Sequence, residues 1–98
     1  MTATLKKMRS LNIIGRRWFE RTNGNTYHTA QIIIDGKTVH KTGVRYGYGS
    51  QYNQSALEWL QENGYIGIPG PVSLWRWCDE NGIEYEDMVM DFPRKRDL

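Results

Sequence analysis

Apolar and polar positions along this chain change period twice. Leu11 to Arg21 is rich in Ile and aromatic residues, Thr26 to Ile34 is a β-branched run, and Lys37 to Tyr46 forms a third extended segment. Thr22-Asn23-Gly24-Asn25 separates the first two, and its Asn-Gly pair supplies the positive φ of a tight hairpin turn; Asp35-Gly36 does the same between the second and third. Three strands and two turns predict an antiparallel meander with the second strand central. Gly47-Tyr48-Gly49-Ser50 then breaks the strand pattern. Tyr52, Ala56, Trp59, Leu60 and Asn63 recur at helical spacing between a candidate N-cap at Ser50 and a stop at Asn63-Gly64, which predicts a helix over about 50–63.

After the connector Gly67-Ile68-Pro69-Gly70-Pro71, a second, shorter helix is expected from Val72 or Ser73 to Glu80, ending at Asn81-Gly82. Residues 55–65 and 73–83 echo one another at a spacing of 18, sharing Ser, an inward Trp and Glu-Asn-Gly, which reads as one helix-ending device used twice. Ile83 to Phe92 alternates well enough for a short closing strand, although Glu86-Asp87 interrupts it. Residues 1–9 read as a frayed basic arm and Pro93 to Leu98 as a loose basic end. The fold class expected is α+β: a three-stranded meander packed on one main helix, then a short helix and a closing strand, all in one domain of 98 residues.

Two-residue turns set the register and therefore the faces. Ile32 should then face Val39 and Gly15, Gln31 should face His40, and Thr29 should face Trp18. Ile13, Phe19, Ala30, Ile32, Ile34 and Val39 share one face, the natural seat for a helix. Arg16, Trp18, Glu20, Tyr27, Thr29, Gln31, Thr38, His40 and Thr42 share the other, with Ile14, Ile33 and Val44 among them. A bulge in the first turn would exchange Arg16 and Trp18 for Arg17 and Phe19. This second face is either free or covered by the second helix, with Trp18 and Tyr27 as core; Trp59, Trp75 and Trp77 read as core in both cases.

Charge sharpens the picture. Residues 1–48 carry nine Lys or Arg against two acidic residues, a net of +7, whereas residues 49–98 carry four against nine, a net of −5. Such a two-sided molecule is suited to an acidic or phosphate-bearing partner, and its halves could also pair between copies in a symmetric dimer. The 39% hydrophobic content is enough for a core, and neither a membrane span nor a secretory leader is recognisable, so a cytoplasmic protein is expected.

Catalytic chemistry has little to work with. Cys78 is the only cysteine, its acidic neighbours Asp79 and Glu80 disfavour a thiolate, and His28 and His40 fall on opposite faces in the register above. Glu84, Glu86, Asp87 and Asp91 lack calcium-loop spacing and read as a solvated face. Gly47-Tyr48-Gly49-Ser50 opens a helix but falls short of a phosphate-binding fingerprint. No cofactor, metal or enzymatic activity is expected.

Ile14-Gly15-Arg16-Arg17-Trp18-Phe19, Gly24-Asn25-Thr26-Tyr27-His28-Thr29 and Tyr46-Gly47-Tyr48-Gly49-Ser50-Gln51-Tyr52 resemble small proteins encoded by phages and prophages, over roughly residues 11–66. The resemblance implies an accessory factor that binds host replication or defence proteins, and it carries no catalytic residues. The layout is also similar to the three-stranded arm-binding domains of phage integrases. The expectation is a binding protein that engages nucleic acid or a nucleoprotein complex, with Arg16, Arg17, Arg21, Lys41 and Arg45 on phosphates and Trp18 and Tyr27 stacking on bases. The alternative is an anti-defence inhibitor of anti-CRISPR type, in which the same residues anchor a host protein.

Overall fold

The computed structural model describes residues 7–68, 70 and 72–98. Five strands form one open mixed sheet: β1 (Ser10–Glu20), β2 (Asn25–Ile34), β3 (Lys37–Lys41), β4 (Arg45–Tyr46) and β5 (Glu84–Phe92). The order is β3-β2-β1-β5, with β4 also on β2, so the expected meander is present with β2 between its neighbours. Helices α1 (Gln51–Glu62) and α2 (Leu74–Glu80) precede β5, and a 3-10 turn (Lys95–Asp97) follows it. The closing strand begins one residue later than expected, continues through Glu86-Asp87 without a break, and runs parallel to β1, from Ser10 opposite Glu84 to Trp18 opposite Phe92.

The two turns behave differently. Asp35 and Gly36 both take positive φ, 52° and 81°, and make the expected two-residue turn. Asp35 also caps the next edge, its Oδ1 accepting the backbone N–H groups of Arg9 and Ser10 at 2.7 and 3.0 Å. These bonds hold the Asp35 carboxyl below its ordinary pKa range. The first turn is wider: Glu20 pairs with Asn25, residues 21–24 form the loop, and the Gly24 N–H bonds to the Glu20 carbonyl at 2.9 Å. The β1 register is therefore two residues away from the expected one, with Trp18 opposite Tyr27 and Ile13 opposite Ile32. A shift of two keeps every side chain on its expected face.

The third strand departs further. Lys37 and Thr38 pair as expected with Ile34 and Ile33, but a bulge follows, and His40 rather than Val39 lies opposite Ile32. Val39 is the extra residue and is left exposed. The expected Lys37–Tyr46 strand is thereby split, and Thr42 bridges the gap: its N–H bonds to the Ala30 carbonyl and its Oγ1 accepts the Ala30 N–H, both at 2.9 Å. The bulge also turns His40 to the helix side, where it stacks on Trp59 with centroids 5.0 Å apart. His28 and His40 consequently share a face, contrary to the sequence expectation, although each contacts different residues of α1.

Both helices lie on the same side of the sheet. Leu11, Ile13, Ala30, Ile32 and Ile34 from the strands form one buried cluster with Ala56, Leu57 and Leu60 of α1 and Leu74 and Cys78 of α2. Met8 joins that cluster at 8% exposure, so the end of the expected basic arm is anchored; residues 1–6 lie outside the described residues, as do Pro69 and Pro71 of the connector. Trp59 and Trp77 pack against the core as expected, but Trp75 is 58% exposed because Leu74 and Cys78, four residues apart, are the inward positions of α2.

The echo at a spacing of 18 is explained by the helix ends. Asn63 Nδ2 donates to the Trp59 carbonyl at 2.8 Å, and Asn81 Nδ2 donates to that of Trp77 at 2.7 Å. Gly64 and Gly82 turn left-handed, and the next N–H returns to the helix: Tyr65 to Leu60 at 2.9 Å and Ile83 to Cys78 at 2.8 Å. Each end is a Schellman stop reinforced by an asparagine. At the N-termini, Ser50 and Ser73 occupy the cap positions without side-chain cap bonds.

One contact sets the height of α1 above the sheet. Tyr52 lies on Gly15, whose missing Cβ would sit 2.5–2.8 Å from three atoms of the Tyr52 ring. Gly15→Ala is therefore expected to destabilise the fold by about 2 kcal/mol through overpacking, measured by urea unfolding. Unchanged stability would show that the ring moves aside freely.

Candidate binding face

Alternation on β1 divides the expected site. Arg16 and Trp18 point away from the helices, while Arg17 and Phe19 point to their side. Arg17 is fully engaged there: Nε and Nη2 hold the two oxygens of Asp91 at 2.8 and 2.9 Å, and Nη1 donates to the Gly49 carbonyl at 3.0 Å. The guanidinium keeps the Asp91 carboxyl below its usual range, and its own pKa is raised in return. Arg45 also lies on the helix side, opposite His28, with Nη1 3.2 Å from Glu58 Oε2. Two of the five expected phosphate contacts are thus committed to carboxylates on the wrong side of the sheet.

The remaining candidates converge on the other face. Among the described residues no helix lies over it, so Trp18 and Tyr27 are half-buried by their strand neighbours rather than being core. Trp18 stacks on Tyr27 at 5.8 Å and 25°, and Tyr27 meets Tyr46 edge-on at 5.8 Å and 78°. Phe92 of β5 lies opposite Trp18 on the far side. Phe92, Trp18, Tyr27 and Tyr46 therefore form a row across four strands, about 14 Å at ordinary strand spacing. Tyr46 is 64% exposed.

Beside the row, Arg16 Nη1 donates to Gln31 Oε1, and Gln31 Nε2 donates to Thr38 Oγ1, both at 2.8 Å. This chain fixes the guanidinium between the aromatic row and the middle of the face. Thr29, opposite Arg16, is buried, and its hydroxyl has no hydrogen-bond partner. Lys41 lies exposed opposite Gln31, and Arg21 is exposed in the β1–β2 loop. Further along, the face is apolar through Ile14, Ile33 and the 53% exposed Met88, and it ends in Glu84 and Glu86.

Sequence reasoning missed Tyr46 and Phe92. Tyr46 lies within the third extended segment, but its place opposite Tyr27 depends on the bulge at Val39 together with a second one-residue shift between Thr42 and Arg45; Phe92 joins the row only through the parallel register of β5.

The other polar candidates have structural roles. His28 is 2% exposed, with Nδ1 3.2 Å from the Gly47 carbonyl and Nε2 2.8 Å from Ser55 Oγ. A carbonyl only accepts, so the neutral ring carries its proton on Nδ1 and accepts the Ser55 hydroxyl at Nε2. Burial raises the Cys78 thiol pKa to about 11, so burial and not the acidic neighbours Asp79 and Glu80 is what disfavours the thiolate. Asp87 is not merely solvated: it accepts the hydroxyls of Tyr52 and Tyr85 at 3.3 and 2.7 Å. Among the described residues no group of three or more His, Cys, Asp or Glu could hold a metal ion, and no helix is long and apolar enough to cross a membrane. Searches against protein-family models, curated proteins and solved structures find no match for this chain.

Desolvation lowers the His28 pKa, so the folded state resists protonating it while the unfolded state does not. Stability is expected to fall as the pH drops below about 6.5, where the unfolded chain takes up the proton, and to level off below the depressed folded value. Urea unfolding between pH 7.5 and 5 should show this slope, and His28→Gln should remove the part due to this group. A slope identical in the variant would assign it elsewhere.

Proposed function

We propose that this is a non-catalytic phage or mobile-element accessory protein that binds single-stranded nucleic acid on its uncovered sheet face. The observation that carries the reading is the row Phe92, Trp18, Tyr27 and Tyr46 on the side of the sheet opposite both helices. Base stacking on aromatic side chains needs such a platform and is indifferent to sequence. Arg16, Lys41 and Arg21 supply the adjacent positive charge, and Glu84 and Glu86 bound the track at its far end. The resemblance to phage-encoded proteins supports the biological setting.

A second reading rests on a separate observation, the apolar strip of Ile14, Ile33 and Met88 on the same face. It would suit a host defence protein, with the aromatic row as anchors.

Fluorescence anisotropy with labelled single- and double-stranded DNA and RNA separates the two. Single strands are expected to bind more tightly than duplex, with a log–log salt slope of about −2 for three phosphate contacts. Trp18→Ala and Tyr46→Ala should each weaken binding by about 5- to 160-fold, at roughly 1–3 kcal/mol per stacked base. Arg16→Glu should weaken it and flatten the salt slope, whereas Arg17→Ala should alter stability by less than about 1 kcal/mol and leave binding intact. Absence of binding at low salt would overturn the nucleic-acid reading, and capture of a host protein lost in Trp18→Ala would support the second.

A further inference from the structure

We infer that two copies of this chain pair antiparallel through the outer edges of β5, a surface that adjoins the aromatic row only at Phe92 and whose pairing does not depend on what that row binds. β5 is an edge strand nine residues long, and only its inner edge is bonded, to β1. The Glu84 N–H donates to the Arg9 carbonyl at 3.0 Å, which fixes the alternation. Glu84, Glu86, Met88, Met90 and Phe92 turn their backbone groups inward; Tyr85, Asp87, Val89 and Asp91 turn theirs to the open edge. Among the described residues nothing pairs with those outward groups. A long exposed edge of this kind is a template for another strand.

The charge pattern selects a second copy. β5 begins with Glu84, Glu86 and Asp87 and is followed by Arg94, Lys95 and Arg96. Antiparallel pairing sets the acidic start of each strand beside the basic end of the other, while parallel pairing would set like beside like. Full-length pairing also has one centre. With the two-fold axis at Met88, the midpoint of the strand, Glu84 lies opposite Phe92 of the second copy, Glu86 opposite Met90, Asp87 opposite Val89 and Asp91 opposite Tyr85. No carboxylate then faces another directly. Moving the axis by one residue puts Asp87 opposite Asp87 or Asp91 of the second copy. Two diagonal approaches remain: Asp87 to Asp91, offset because Arg17 holds Asp91 through two hydrogen bonds, and Asp87 to Asp87, offset because each Asp87 accepts the hydroxyls of Tyr52 and Tyr85.

This register joins two exposed Met88 side chains and brings Tyr85 with Asp91, and Asp87 with Val89, into mutually hydrogen-bonded pairs. The combined sheet keeps both helix layers on one side and both aromatic rows on the other.

The test is register-specific cross-linking of the full chain. Met88 pairs with itself in a position without backbone hydrogen bonds, where Cα atoms approach about 4.5 Å, within disulfide reach. Met88→Cys should form a covalent dimer under mild oxidation roughly tenfold faster than Glu86→Cys or Met90→Cys alone, while a mixture of those two should cross-link. Cys78 is fully buried, so the unaltered chain serves as the blank. Light scattering should give twice the 11.5 kDa chain mass at high micromolar concentration, reverting to the single mass in Met88→Glu, which sets two like charges on the axis. A chain that stays monomeric to near-millimolar concentration, or a Met88→Cys variant that cross-links no faster than Glu86→Cys, would overturn the proposal.

Discussion

The seat of Tyr52 on Gly15 is the constraint from which the rest of the structure follows. Gly15 lies within the run Leu11, Ile13, Ala30 and Ile32 that the helices cover, and the absence of a side chain there lets an aromatic ring lie directly on the strand. The ring anchors the first turn of α1, its hydroxyl reaches Asp87 of β5, and the helix continues over β2 to Trp59. With α1 held so close, α2 completes the same layer beside β5 and leaves the other side of the sheet uncovered. The candidate binding face is thus a product of close packing on the opposite one.

Local signals in the sequence suffice where the chemistry is local. The helix stops at Asn63-Gly64 and Asn81-Gly82, the turn at Asp35-Gly36 and the apolar seat for α1 all depend on residues within a few positions of one another. The first loop has four residues instead of the expected two, and this even difference preserves the alternation that puts Trp18 and Tyr27 on one face. The extra residue at Val39 was the opposite case: a single-residue bulge has no dependable local signature, and it reversed His40 and split a strand. The choice of β1 as partner for the last strand was not legible either, since it is decided by what α1 and α2 leave exposed.

That choice also explains the division of the arginines. Arg16 and Arg17 are neighbours with the same chemistry, and no rule of composition separates them. The parallel register places Asp91 beside Arg17, on the same side of the sheet, so one arginine closes the molecule and the other stays beside the aromatic row. The net +7 of the first half is accordingly not a uniform field. Part of it is neutralised internally by the acidic strand that the second half inserts next to it.

The pairing of β5 with β1 has a consequence for how the molecule assembles. Arg17 and Asp91 are 74 residues apart, and the β1–β5 ladder joins strands equally distant in sequence. The β1–β2–β3 meander, by contrast, closes through short loops and can form as soon as those residues are available. Closing a long loop costs chain entropy before any long-range contact compensates for it, so the β1–β5 ladder is the costliest pairing in the sheet to close, and topology favours the meander ahead of it. Whenever β5 is undocked, one edge of β1 lacks its hydrogen-bond partner, and the sheet exposes the strand on which its core is built.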